Sequence, residues 1–193
     1  MQVDRRWCLV HATHASASEV TRIAASRAVV GLCPITEANL GDGIFPAKEF
    51  RLQGGSFGIG TDSNVLIDAA EELRLLEYGQ RLLHRERNVL HSNHEHSTGR
   101  ALLEHALAGG AQALKHDTGR LAPGYIADIV ALSDASPSML FRRDDALLDS
   151  WIFAGAPAVD CVWSAGRKVV EGARHRDRES TAKRYADVLA ELR

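Results

Sequence analysis

The sequence predicts an α/β fold of parallel strands joined by helical crossovers, followed by a smaller β-rich segment and a terminal helix. Three observations carry this. Short apolar runs at residues 7–12, 28–33 and 57–60 are separated by stretches with helical spacing. Each run stops at polar residues: His11, the 34–39 stretch, and Asp62. From Gly119 onward, turn-rich sequence and a hairpin pattern replace the helical one. An alternating strand–helix order implies parallel pairing, because a parallel strand needs a crossover long enough to return the chain.

Trp7-Cys-Leu-Val-His-Ala12 has the continuous apolar character of a strand buried on both faces. Ser16 and Glu19 have capping-box spacing, and Val20, Ile23 and Ala24 follow with helical apolar spacing. Ala28-Val-Val-Gly-Leu-Cys33 is a second buried run, stopped by Pro34. Residues 35–45, with Gly41 and Gly43, read as a long loop holding Glu37, Asn39 and Asp42. Pro46 opens a short helix through residue 52, Gly54-Gly55 turns the chain, and Phe57-Gly-Ile-Gly60 runs into Thr61-Asp62.

A long helix is expected over 69–89, with Leu73, Leu76, Tyr78, Leu82 and Leu83 as its apolar face. Glu71, Glu72, Arg74, Arg81 and Arg85 form its polar face. A polar break at 91–97 precedes a helix over 98–108. Gly109-Gly110 then separates it from a shorter one at 111–115. Beyond the 119–124 linker come a strand at 127–132, a helix at 144–153 and a hairpin of 159–163 with 168–170. A tail helix over 180–192 carries Tyr185, Val188, Leu189 and Leu192 on one side. Trp151 and Trp163 are expected to pack the β-rich part and its junction. No internal repeat is present.

The chain has 193 residues, 45% of them hydrophobic, enough for a sizeable core. Its 23 basic and 25 acidic residues give a net charge of −2. That balance speaks against a nucleic-acid partner bound by phosphate neutralisation and against a membrane-surface role. No apolar run approaches the ~20 residues of a spanning helix. Cys8, Cys33 and Cys161 lie far apart beside apolar residues, the pattern of free, buried thiols in a reducing compartment. With no apolar leader after Met1, a cytoplasmic location is expected.

His11 and Asp62 are the candidate chemical residues. An imidazole and a carboxylate at the carboxyl ends of strands suit Zn²⁺ or Fe²⁺ and could share a bound water. Two bland alternatives stay open: a structural histidine, and an aspartate that caps a turn ahead of Ser63-Asn64. His91, His94 and His96 have the spacing of a surface metal site, but their polar setting reads as a solvated loop.

Leu9-Val-His-Ala-Thr-His14, Gly31-Leu-Cys-Pro-Ile-Thr-Glu-Ala-Asn-Leu-Gly-Asp-Gly43 and Gly58-Ile-Gly-Thr-Asp-Ser-Asn64 together resemble the sixth, seventh and eighth strand-end motifs of the amidohydrolase superfamily. The Cys33–Leu40 block and Leu66-Ile-Asp-Ala-Ala-Glu-Glu-Leu-Arg-Leu-Leu-Glu-Tyr-Gly-Gln80 are similar to the formimidoylglutamate deiminases in particular. The resemblance implies the last three strand-helix units of a (β/α)₈ TIM-type barrel over 1–118, part of a small β-sandwich over 119–175, and a terminal helix over 176–193. It implies Asp62 as a ligand of a single Zn²⁺ or Fe²⁺ ion that also takes a proton from the attacking water. His11 would contact the hydroxide or tetrahedral centre, and Glu37 and Asn39 would line the pocket of a small-molecule substrate. The implied reaction converts N-formimidoyl-L-glutamate to N-formyl-L-glutamate and ammonia, a step of histidine degradation, in a homodimeric full-length enzyme. The superfamily's remaining metal ligands have no counterpart in these residues. A fragment, inactive alone or completed in trans, is therefore expected. The rival readings are another deaminase of the superfamily, acting on an aromatic base, and a non-catalytic remnant or subunit.

Overall fold

A computed structural model of the chain describes residues 2–63, 66–91, 97–155 and 158–192. Strands β1 (Cys8–Val10), β2 (Val29–Leu32) and β3 (Ser56–Ile59) form a parallel sheet in the order β1-β2-β3. Cys8 lies opposite Val29, and Val29 opposite Ser56. Helix α1 (Ala17–Ser26) crosses from β1 to β2, while α2 (Pro34–Leu40) and α3 (Ala47–Leu52) lie between β2 and β3. Helices α4 (Ala69–His84) and α5 (Thr98–Leu114) follow β3. The Ser16–Glu19 capping box forms as expected and starts α1, which buries Val20 and Ala24.

Burial on both faces holds for β2, where Val29, Val30 and Leu32 are inaccessible, but not for β1. Val10 is 57% exposed and Cys8 is exposed, against the expectation for both, because β1 lies at the sheet edge and, among the described residues, pairs with β2 alone. Cys33 and Cys161 are buried, and all three thiols are free.

Four helical expectations are corrected. Residues 34–40 are the helix α2, not a loop. Pro34 at its first position presets the backbone, and the Glu37 carboxylate accepts the Cys33 amide N–H. Gly41, with φ 69°, ends this helix in the left-handed conformation rather than forming the interior of a loop. Helix α4 stops at His84, five residues early, because the buried Glu77 carboxylate accepts the amides of Val89 and Leu90 and folds the chain back. Its predicted faces shift as well. Glu72 is fully buried, as are Glu77 and Gln80, while Leu82 and Leu83 are exposed. Helix α5 runs unbroken through Gly109-Gly110. A Cβ at Gly109 would overlap the Phe57 carbonyl, so the glycine pair admits α5 against β3 rather than breaking it.

The second sheet is antiparallel: β4 (Ile129–Leu132), β5 (Val159–Ser164), β6 (Arg167–Glu171) and β7 (Arg174–His175), paired in that order. Helix α6 (Asp144–Phe153) packs back on α4 and α5, placing Ile152 in the main core with Trp151 and Phe153 against it. Helix α7 (Arg178–Glu191) buries no residue, and Tyr185, Val188, Leu189 and Leu192 are exposed. No described helix is long and apolar enough to cross a membrane.

Candidate active site at the strand ends

The parallel sheet delivers His11 and Asp62 to the same end of the molecule, on strands flanking β2. The His11 amide donates to the Gly31 carbonyl at 2.8 Å and continues the ladder one residue past β1. The Gly60 amide does the same to Leu32 at 2.9 Å beyond β3. Immediately past these bonds the backbone leaves the extended region. His11, Ala12 and Asp62 have φ of 63°, 53° and 46°. For residues with a Cβ that conformation costs about 1 kcal/mol or more each, and it turns both side chains out of the sheet.

The two side chains then approach each other. His11 Nε2 lies 3.7 Å from Asp62 Oδ2, both accessible, with 31% and 39% of their side-chain surface exposed. The other face of the imidazole is closed off. His11 Nδ1 lies 3.2 Å from Glu37 Oε1, and only 6% of the Glu37 side chain is exposed. The same Glu37 oxygen accepts the Cys33 amide at 2.8 Å. Thr36 Oγ1 donates to the Thr61 carbonyl at 3.2 Å, and the Ile35 amide donates to Glu72 Oε2 at 2.9 Å. The buried first turn of α2 thus braces both strand ends.

Burial pushes the Cys33 thiol up to about 11, with the charges of Glu37, Asp62 and Glu72 adding to it. A thiol held that high keeps its proton at neutral pH. A cavity of about 750 Å³ opens beside His11, lined also by Thr13, His14, Arg22 and Asp42. Asn39 is exposed on α2 and is not part of that lining, nor is Glu37. Ser63 is exposed. Asn64 and the His94-Glu95-His96 stretch lie outside the described residues.

An open Zn²⁺ site takes three protein ligands and a water. No group of three or more His, Cys, Asp or Glu side chains suited to an ion occurs among the described residues. His11 and Asp62 offer two donors, and Glu37 is turned to the far side of the imidazole. These residues do not by themselves fit a metal centre.

Sequence reading placed His11 and Asp62 but missed Thr36 and Glu72. Thr36 gave no local signal. Glu72 sits beside Glu71 in a charged helix, and only its burial against α2 sets it apart.

A histidine and a carboxylate facing one another at the carboxyl ends of parallel strands define an α/β strand-end site, the place where such folds assemble chemistry. The chain belongs to the amidohydrolase family, which its residues 2–169 match. It is 53% identical over 191 residues to the formimidoylglutamate deiminase of Pseudomonas aeruginosa, a match covering 98% of this chain and 42% of that protein. Its structure superposes on the amidohydrolase from Brucella melitensis with a TM-score of 0.92 and 50% identity, over all of this chain and 42% of that one. An adenosine deaminase from Xanthomonas campestris with bound zinc shares the fold at a TM-score of 0.80 and 23% identity, over 98% of this chain and 44% of that one. The chain thus spans well under half the length of these relatives.

Proposed function

We propose that the chain contributes the carboxyl-terminal part of a formimidoylglutamate deiminase. The observation that carries this reading is the His11–Asp62 pair at the strand ends, in a chain 53% identical to a formimidoylglutamate deiminase over nearly its whole length. In this reading β1–β3 with their helices, residues 1–118, are the last three units of a (β/α)₈ barrel. Residues 119–175 are part of a β-sandwich and 176–193 a terminal helix. The enzyme acts on a small molecule, as a homodimer, in histidine degradation.

The reaction is hydrolysis of the formimidoyl C=N group. Water adds to the carbon, one of its protons passes to Asp62, and Asp62 hands it to the imine nitrogen. The remaining hydroxyl proton then moves to that nitrogen as the C–N bond breaks and the C=O bond forms, so ammonia leaves and an N-formyl group remains. His11 Nε2, on the open side of the imidazole, holds the attacking oxygen or the tetrahedral centre. A Zn²⁺ or Fe²⁺ ion held through Asp62 belongs to this proposal and needs donors beyond the two that these residues assemble. Glu37 and Asn39 belong to the substrate pocket in this reading; Glu37 also faces His11, and Asn39 is exposed on α2.

A chimera tests the reading. These 193 residues replace the matching span of the Pseudomonas aeruginosa enzyme, and ammonia release from N-formimidoyl-L-glutamate is measured beside aromatic-base substrates. Turnover of the formimidoyl substrate is expected. A folded chimera that releases ammonia only from a base, or from nothing, overturns the proposal.

A further inference from the structure

We infer that Glu37 is a positioning residue that fixes the tautomer of His11. The inference rests on the proposed function for its consequence but not for its geometry. Glu37 Oε1 accepts the Cys33 amide N–H at 2.8 Å, and a carboxylate oxygen has no proton of its own to give. The contact of 3.2 Å from the same oxygen to His11 Nδ1 is then a donation by Nδ1–H. In the neutral imidazole the Nε2 lone pair is left free, on the side that faces Asp62 at 3.7 Å. Nε2 and the Asp62 carboxylate are therefore left facing one another at the strand ends.

Glu37 is well held for the task. The first turn of α2 is buried at Pro34, Ile35, Thr36 and Glu37. The Ile35 amide ties this turn to Glu72 of α4, and the Thr36 hydroxyl ties it to the Thr61 carbonyl just past β3. A carboxylate that orients a histidine from behind sets which nitrogen meets the reactant without touching the reactant itself.

The test is the tautomer, read without substrate. In this chain, labelled with ¹⁵N-histidine, long-range ¹H–¹⁵N correlations assign both ring nitrogens of His11. Protonated Nδ1 with a lone pair on Nε2 is expected. Glu37→Gln, whose amide oxygen can still accept both donors, is expected to keep that pattern. Glu37→Leu, folded as judged by its remaining amide spectrum, is expected to lose it. A wild-type ring protonated at Nε2 overturns the inference whether or not any variant folds, and so does an Nδ1–H pattern that survives in folded Glu37→Leu. Failure here leaves the chimera's turnover to decide the proposed function separately. A chimera without turnover leaves the tautomer result standing.

Discussion

Phe57, in β3, is fully buried beneath α5, whereas Val130, in β4, keeps 54% of its surface exposed. The contrast extends to whole regions. The main hydrophobic cluster draws on β2, β3 and helices α1 and α3 to α6, and nothing in it comes from β4–β7 or α7. Both sheets pair their strands in unbroken order, but the strands are joined by different routes. A parallel sheet needs crossovers, and its crossover helices cover the faces they pass over. Antiparallel β5 and β6 need only the turn between Ser164 and Arg167, which brings no covering layer with it. The site lies where packing is dense, so its side chains are held from behind, as Glu37 is by α2 and α4.

Core truncation is the strongest way to break this comparison. Leu73→Ala empties a fully buried position in α4 and is expected to cost about 2–5 kcal/mol in urea unfolding. Val130→Ala, on the exposed sheet, is expected to fall within about 1 kcal/mol of wild type. Equal losses would show that the two regions are equally packed. Next in size is Gly109→Ala. The added methyl meets the Phe57 carbonyl, so α5 has to move off β3, at about 1–3 kcal/mol. A neutral or stabilising result, the usual gain from alanine inside a helix, would show that the close approach is not needed.

The smallest expected effect is a pH dependence that belongs to the dense region alone. His105 on α5 stacks on Phe57, and Arg51 of α3 donates to its Nε2 at 2.6 Å. Burial, and then the Arg51 charge, holds the imidazole below its ordinary value of 6.5, with Glu104 opposing. A lowered folded-state value means that the unfolded chain binds the proton more readily. The stability linked to this group is complete above 6.5 and declines as pH falls from there toward the folded-state value. The urea midpoint is therefore expected to drop between about pH 8 and about pH 5.5, and to drop less in His105→Gln, which accepts from Arg51 without titrating. Equal drops in both proteins would remove His105 from the account.

Much of this architecture is legible residue by residue. Ser16 and Glu19 announce α1, the apolar run through Leu32 announces β2, and Ser164-Ala-Gly-Arg167 announces the hairpin. The strand-end positions of His11 and Asp62 follow from where those runs stop. The long loop expected over 35–45 shows the limit. Gly41 and Gly43 marked a break correctly, but the break lies after α2 rather than through it. Glu72 and Glu77 show another. Helical spacing sorts residues into faces by chemical type, and it had put the charged Glu72 on the solvent face.

What the sequence by itself determined are the elements whose signals span a few residues: caps, apolar runs and turns, each closed by hydrogen bonds between near neighbours. What only the tertiary structure decided is which polar groups those elements bury and aim. His11 meets Glu37 across 26 positions, and Ile35 meets Glu72 across 37. Nothing in a local pattern marks such partners. A carboxylate is stable in the interior only when donors surround it, and those donors converge only once the sheet and its helices have packed.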